Sequence, residues 1–167
     1  MKYFGIVLVL FLAVGIGFAW QKESPEKETV TSPRSFSGIN AETIQVGDYV
    51  NALRVVQVEP VNPTIDLPRS SNIKITFEGS VTLHGVLTVA DGYEYEGTIL
   101  EISKNGHLLP HQEPGWATKS ICIANPEVRD PDVVYEDNVQ VVLNTYTYVS
   151  YPAGGCTAQK VTRIKKI

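Results

Sequence analysis

Residues Ile73–Val89 read Ile-Lys-Ile-Thr-Phe-Glu-Gly-Ser-Val-Thr-Leu-His-Gly-Val-Leu-Thr-Val, and this stretch determines the fold that the sequence predicts. Apolar side chains at alternate positions predict a strand with one buried and one exposed face. Gly79 and Gly85 interrupt the pattern, and glycine within a long strand indicates a bulge or a sharp bend. A long strand that bends twice is what a small, partly closed barrel requires. The alternating apolar residues are Ile73, Ile75, Phe77, Val81, Leu83, Leu87 and Val89.

The rest of the domain also has the patterns of strands and turns. Asp91-Gly92 and Asn105-Gly106 are dipeptides typical of tight hairpin turns. No segment of the domain carries a sustained 3.6-residue period, so the fold class is predicted to be all-β. The wide gap before the fourth principal strand favours a Greek-key order and a small five-stranded barrel. The principal strands are predicted at about 73–89, 93–103, 119–124, 139–149 and 159–167, with shorter ones at 44–50 and 53–58.

A hydrophobic segment opens the chain. Tyr3–Trp20 carries no charge, and 18 helical residues span roughly 27 Å, close to the thickness of a hydrocarbon core. The segment therefore predicts a single N-terminal helix that anchors the protein in the cell membrane, with the following domain extracytoplasmic. The alternative is a signal peptide cleaved near Ala19, which would release a secreted or periplasmic protein. Both alternatives predict export.

A change in composition divides the chain into three parts. Residues 1–20 are the anchor or signal peptide, and residues 21–37 are polar, with mixed charge and two prolines. Such a segment cannot bury enough apolar surface to offset its ordering entropy, so it predicts a flexible linker. Residues 38–167 then form the β-barrel domain.

The net charge argues against one class of partner. The chain has 14 basic and 18 acidic residues, a formal charge of −4, whereas sequence-independent nucleic-acid binding needs clustered positive charge. No nucleic-acid partner is expected. A basic cluster at the C-terminus predicts an edge strand protected by solvated charge, with a phosphate-binding patch as the alternative. Its members are Lys160, Arg163, Lys165 and Lys166.

Several short motifs resemble those of exported bacterial OB-fold proteins of unknown function. They are Val46-Gly-Asp-Tyr-Val-x-x-Leu-x-Val, Phe77-Glu-Gly-x-Val-Thr-Leu-x-Gly, Val139-x-Val-x-Leu-x-x-Tyr, and Gly155-Cys156 before a strand that contains Val161. The resemblance covers about residues 43–164, and it implies that the predicted barrel is OB-like. It brings no catalytic residues with it.

Cys122 and Cys156 are the only two cysteines in the sequence. Both lie in the domain that is predicted to be exported, where oxidising conditions allow a disulfide. A bridge between them would close a loop of about 35 residues, which contributes about 3 to 4 kcal/mol in the chain-entropy model. The alternative is two separate buried thiols that act as small hydrophobic side chains.

Two polar segments carry the residue types of a metal site. His107 and His111 precede Glu113, but Pro110 lies between the histidines and argues against a shared helix. The acidic segment at 127–137 lacks the regular spacing of a calcium loop. No metal or cofactor is therefore predicted. A metal-dependent hydrolase that uses the His107–Glu113 segment or the acidic segment is the alternative function.

Aromatic side chains form the candidate binding site. OB-type barrels bind ligands on one sheet face and the adjoining loops, and stacked aromatics suit an envelope saccharide or a peptide. Tyr146 and Tyr148 fall on the outward face of their strand if no bulge intervenes. The alternative is that tyrosines paired across strands only stabilise the sheet. The predicted function is a non-enzymatic, membrane-tethered binding module. Its candidate ligand-binding residues are Tyr93, Tyr95, Trp116, Tyr146 and Tyr148.

Overall fold

The computed structural model describes residues 33–92, 95–150 and 156–167 of the chain. These residues form one sheet of nine strands with three short 3₁₀ turns, so the predicted β-rich fold is confirmed. The strands are β1 Ser35–Phe36, β2 Tyr49–Val50, β3 Leu53–Glu59, β4 Ile73–Gly92, β5 Tyr95–Lys104, β6 Ser120–Ile123, β7 Asn138–Ser150, β8 Ala158–Gln159 and β9 Arg163–Lys166. The turns are Arg69–Ser71, Gly106–Leu108 and Pro126–Val128.

The hydrophobic segment at 3–20 and the linker up to residue 32 lie outside the described residues. The N-terminal helix, the membrane contact and the signal peptide therefore remain predictions. Within the part of the chain that the structure describes, no helix has the length and hydropathy needed to span a membrane.

The longest strand, β4, pairs with three other strands. Its first half pairs with β3, its second half pairs with β5, and β7 runs along it from Ile73 to Val86. The pairing register shifts between Glu78 and Val81 against β7, and between His84 and Gly85 against β5. The two predicted irregularities at Gly79 and Gly85 are thus confirmed.

Both glycines allow a close approach that a side chain would prevent. A Cβ atom at Gly85 would overlap the carbonyl oxygen of Glu101 on the neighbouring strand β5. Gly79 has a φ of +139°, and a Cβ atom there would lie 2.6 Å from the Leu53 side chain. The bends of β4 therefore depend on the absence of side chains at these two positions.

The predicted five-stranded barrel does not close, because the sheet is open. The last predicted strand, 159–167, is two short strands separated by Lys160–Thr162. β8 pairs with β6 in parallel, and β9 pairs with β7 in antiparallel orientation. The break occurs where the side chain of Asn125 bonds the main-chain N–H and C=O of Val161, both at 2.8 Å. No single strand therefore joins β6 to β7.

The compact unit begins at Pro33, earlier than the boundary predicted at residue 38. β1 pairs with β2, and Arg34 donates hydrogen bonds to the buried carboxylate of Asp48 at 2.6 and 3.1 Å. Residues 33–37, which the sequence assigned to the linker, therefore belong to the fold. The sequence pattern missed them because the contact joins residues 14 positions apart.

The predicted disulfide is confirmed, since Cys122 on β6 is bonded to Cys156 with the Cα atoms 5.8 Å apart. Cys122 is fully buried. The bridge fixes the segment that precedes β8 against the middle of β6.

Candidate functional site

A cleft of about 390 Å³ opens between β6 and β7, on the open side of the sheet. Lys119–Ile121 lines one side and Tyr146–Val149 lines the other, and the segment before β8 contributes Cys156, Thr157 and Gln159. His111, Trp116 and Thr118 complete the lining from the irregular segment between β5 and β6. The cleft exists because β8 pairs only with Cys122 and Ile123, and so leaves the start of β6 uncovered.

Tyr146 points into the core, because a bulge intervenes in the pairing of β7 with β4 and the outward orientation was predicted only in its absence. Four residues of β7, from Leu143 to Tyr146, match five residues of β4, from Phe77 to Val81. This mismatch shifts the alternation by one position, and Tyr146 becomes 8% exposed with its ring stacked on Phe77 at 6.2 Å. Burial raises the pKa of Tyr146 to about 12, although a hydrogen bond with Thr118 partly opposes the shift.

Tyr148 lies two residues further along β7 and is half-buried. Burial raises the pKa of its hydroxyl, and a hydrogen bond with Ser150 acts in the opposite direction. Its ring meets the edge of the His111 ring, with centroids 6.3 Å apart and an interplanar angle of 83°. The ring of Tyr148 therefore packs against His111, and its hydroxyl is a polar group of the cleft.

Trp116 is the most exposed aromatic side chain of the cleft, at 48%. It stacks on His111 with centroids 5.4 Å apart and an interplanar angle of 21°. We refer to His111, Trp116 and Tyr148 as the aromatic shelf. The sequence did not indicate His111 as part of this group, because only the tertiary fold brings its loop against β7.

Hydrogen bonds from three parts of the chain hold the shelf in place. The main-chain N–H of Ile39 donates to the carbonyl of His111 at 2.8 Å. The Gln112 carboxamide and the Ser150 hydroxyl both donate to the carbonyl of Ser70, at 3.0 and 2.6 Å. The loop that carries Trp116 is thereby tied to the end of β7, so the exposed indole has a fixed position.

Gln159 fills the gap between β8 and β7 with its side chain. Its carboxamide oxygen accepts from the main-chain N–H of Thr147 at 2.8 Å, and its nitrogen donates to the carbonyl of Thr147 at 2.9 Å. Gln159 is 3% exposed. A side-chain amide here makes the two bonds that a neighbouring strand would otherwise make.

The structure places three of the five predicted aromatic residues at the cleft, namely Trp116, Tyr146 and Tyr148. Tyr93 lies outside the described residues. Tyr95 begins β5, with its main chain opposite Gly92 at the β4–β5 hairpin.

The segments proposed for a metal site make other contacts. His107 lies in the 3₁₀ turn at Gly106–Leu108, while His111 belongs to the shelf and accepts a hydrogen bond at Nδ1 from the main chain of Glu113. No group of three or more His, Cys, Asp or Glu suited to a metal ion occurs among residues 33–92, 95–150 and 156–167.

Carboxylates of the acidic segment pair with the basic C-terminal strand. Asp130 pairs with Arg163 at 3.0 Å, and Asp137 pairs with Lys166 at 2.7 Å. The hydrogen bond from Lys166 lowers the pKa of Asp137. Two members of the basic cluster are thus paired with carboxylates of the same fold. These ion pairs favour the prediction of an edge strand over the alternative of a phosphate-binding patch.

Comparison with protein-family models, curated proteins and solved structures finds no match to this chain. The side chains that line the cleft are therefore the basis for inferring which ligands it could bind. It offers aromatic faces, hydroxyl groups and a carboxamide. Among the described residues that line it, Lys119 is the only lysine, arginine, aspartate or glutamate.

Proposed function

We propose that this protein is an exported, membrane-tethered binding module without enzymatic activity, and that the cleft between β6 and β7 is its ligand site. The observation that carries the proposal is the aromatic shelf, where a half-exposed Trp116 is held flat on His111. A large aromatic face that the fold holds in the open, beside hydroxyl groups, suits ligands that present one apolar face and several polar groups. Envelope saccharides and peptides are of this kind.

The proposal includes an OB-like barrel that is open between β6 and β7. OB-folds are five-stranded, partly open Greek-key barrels. The pairings β4 with β5, β5 with β6, and β4 with β7 agree with that arrangement. The fifth strand would correspond to β8 and β9 together. The resemblance in the sequence motifs supports the same assignment.

Two observations support export. Tyr3–Trp20 is long and apolar enough to cross or enter a membrane. The bond between Cys122 and Cys156 is of the type that persists in oxidising compartments outside the cytoplasm. Detection of the domain by an impermeable label on intact cells would test export, and the mature N-terminus would distinguish an anchor from a cleaved signal peptide.

The binding proposal is tested with full-length protein in detergent on arrays of envelope-type oligosaccharides and of random seven-residue peptides. Trp116→Ala should abolish the specific signals, because it removes the exposed face of the shelf. Tyr49→Ala is the matched control, since Tyr49 is also exposed but does not line the cleft. Absence of specific signals on both arrays, or signals equal in wild type and Trp116→Ala, would contradict the proposal.

The same experiment addresses the alternative of a hydrolase. Ligands eluted after capture are analysed by mass spectrometry. A binding module returns them intact, whereas cleavage products that disappear after chelation would support a metal-dependent hydrolase.

A further inference from the structure

Among the described residues, the main chain of β7 has no partner at Val149 on the side that faces the cleft. In an antiparallel pair, residues alternate between those that bond to the partner strand and those whose N–H and C=O point away from it. Thr147 directs both groups away from β4, because both bond to the Gln159 side chain. Val149, two residues further along, therefore directs its own N–H and C=O to the same side.

No other described residue occupies the edge at Val149. Val149 pairs with Lys74 of β4 on one side and lines the cleft on the other. Within the described ranges, its main chain makes no hydrogen bond outside the β4–β7 ladder. An open strand edge accepts another extended chain readily, because main-chain donors and acceptors at a fixed spacing remain unsatisfied.

We propose that the cleft takes an extended peptide, which adds as a strand beside β7 at Val149 and lays one side chain on Trp116. This inference rests on the proposed function and specifies its ligand. The carboxamide of Gln159 carries the same donor and acceptor as a peptide group, and it already occupies the adjacent position at Thr147. The edge thus favours a peptide, whose paired donors and acceptors match the ladder, over a saccharide, whose hydroxyl groups do not repeat at that spacing.

The first test is amide hydrogen exchange of the free, full-length protein. The N–H of Tyr148 should be protected by β4 and that of Thr147 by Gln159, whereas that of Val149 should exchange at least tenfold faster than either. Equal protection of Val149 and Thr147 in the free protein would show that the edge is already covered, and would overturn the inference.

The second test uses the strongest binder from the array of random seven-residue peptides. Single N-methyl groups are placed at each position of this peptide. Strand addition predicts that methylation at one position weakens binding at least tenfold, because that methyl group removes the donor that pairs with the carbonyl of Val149, while methylation at the two neighbouring positions changes affinity less than threefold.

A protein variant gives an independent measurement. Val149→Pro removes the N–H that faces the cleft, and should weaken binding of the same peptide at least tenfold. Val149→Ala keeps the main chain and should stay within threefold of wild type. If thermal unfolding shows that Val149→Pro does not fold, the N-methyl series decides alone.

The outcomes separate this inference from the proposed function. Peptide binding that depends on Trp116 but is not weakened tenfold by methylation at any single position overturns strand addition and leaves the binding module intact. Binding of saccharides only does the same. No binding of either class overturns both proposals.

Discussion

Gln159 of β8 completes the main-chain hydrogen bonding of Thr147 on β7. Its side-chain amide makes both bonds that a neighbouring strand would make. Gln159→Leu keeps the apolar part of the side chain but removes both bonds. We expect a loss of about 1 to 3 kcal/mol in the free energy of unfolding, because Thr147 then lacks two partners. Urea denaturation measures the loss. Gln45→Leu, at an exposed glutamine, is the control and should change stability by less than about 0.5 kcal/mol.

Gly85 should be the least tolerant glycine of β4. Gly85→Ala places a methyl group on the carbonyl oxygen of Glu101, so β4 and β5 must separate locally. We expect destabilisation by about 3 kcal/mol, measured by urea denaturation. Gly47→Ala is the comparison, because Gly47 has a φ of +96° but nothing within 4 Å of an added Cβ. Only backbone strain of about 1 kcal/mol applies there. Equal effects of the two substitutions would contradict the close approach.

The disulfide should contribute measurably to stability. It closes a loop between residues separated by 34 positions, for which the chain-entropy model gives about 3 to 4 kcal/mol. The double substitution Cys122→Ala with Cys156→Ala should therefore lower the urea midpoint. Reducing agent should lower the midpoint of the wild type and leave that of the double variant unchanged. A reductant effect on the double variant would show that the agent acts elsewhere.

The hydroxyl of Tyr146 should make stability fall at alkaline pH. Its pKa is about 12 in the fold, above its value of about 10 in an unfolded chain. The unfolded state therefore loses its proton first, so this contribution is fully present below pH 10 and is lost as the pH rises toward 12. Across that range the loss should be about 2 to 3 kcal/mol.

Tyr146→Phe provides the control for this pH dependence. The variant keeps the stack on Phe77 but has no ionisable hydroxyl. The difference in unfolding free energy between wild type and variant should shrink or reverse between pH 10 and 12. A difference that stays constant over this range would contradict the burial of the hydroxyl.

Asp48 should make stability fall in acid. Burial alone would raise the pKa of its carboxyl, but hydrogen bonds from Arg34 and from the main chain of Gln45 outweigh that effect and lower it. The contribution is therefore present above the unfolded value of about 3.9, and is lost as the pH falls through the folded pKa.

Asp48→Asn tests this contribution by urea denaturation at pH 7 and at pH 2. The variant should be less stable than wild type by about 1 to 3 kcal/mol at pH 7, with a smaller difference at pH 2. Asp66→Asn, at an exposed position, is the control. An unchanged difference at pH 2 would show that the Asp48 charge does not contribute.

Local patterns in the sequence predicted most of the strands. The alternation from Ile73 to Val89 belongs to the central strand, and Gly79 and Gly85 lie at its register shifts. Alternating side chains involve neighbours within a few residues, so one sequence contains the information. The predicted turn dipeptides were less accurate, because Asp91 and Gly92 pair within β4 and β5, and Gly106 begins a 3₁₀ turn.

The candidate site was less accessible to sequence reasoning. Trp116 and Tyr148 were expected and do share the cleft, but Tyr146 turned inward. The orientation of its side chain depends on how many residues of β7 lie opposite the bulge in β4. This register depends on both strands, so the sequence of one strand does not reveal it.

The sequence by itself determined the β-rich fold and the bends of β4, because alternation and glycine act locally. Only the tertiary structure decided which side chains meet. It placed His111 beneath Trp116, split the last strand at Lys160–Thr162, and turned the Tyr146 ring onto Phe77. These outcomes depend on contacts between segments distant in the chain, whose geometry is set by the packing of the whole sheet.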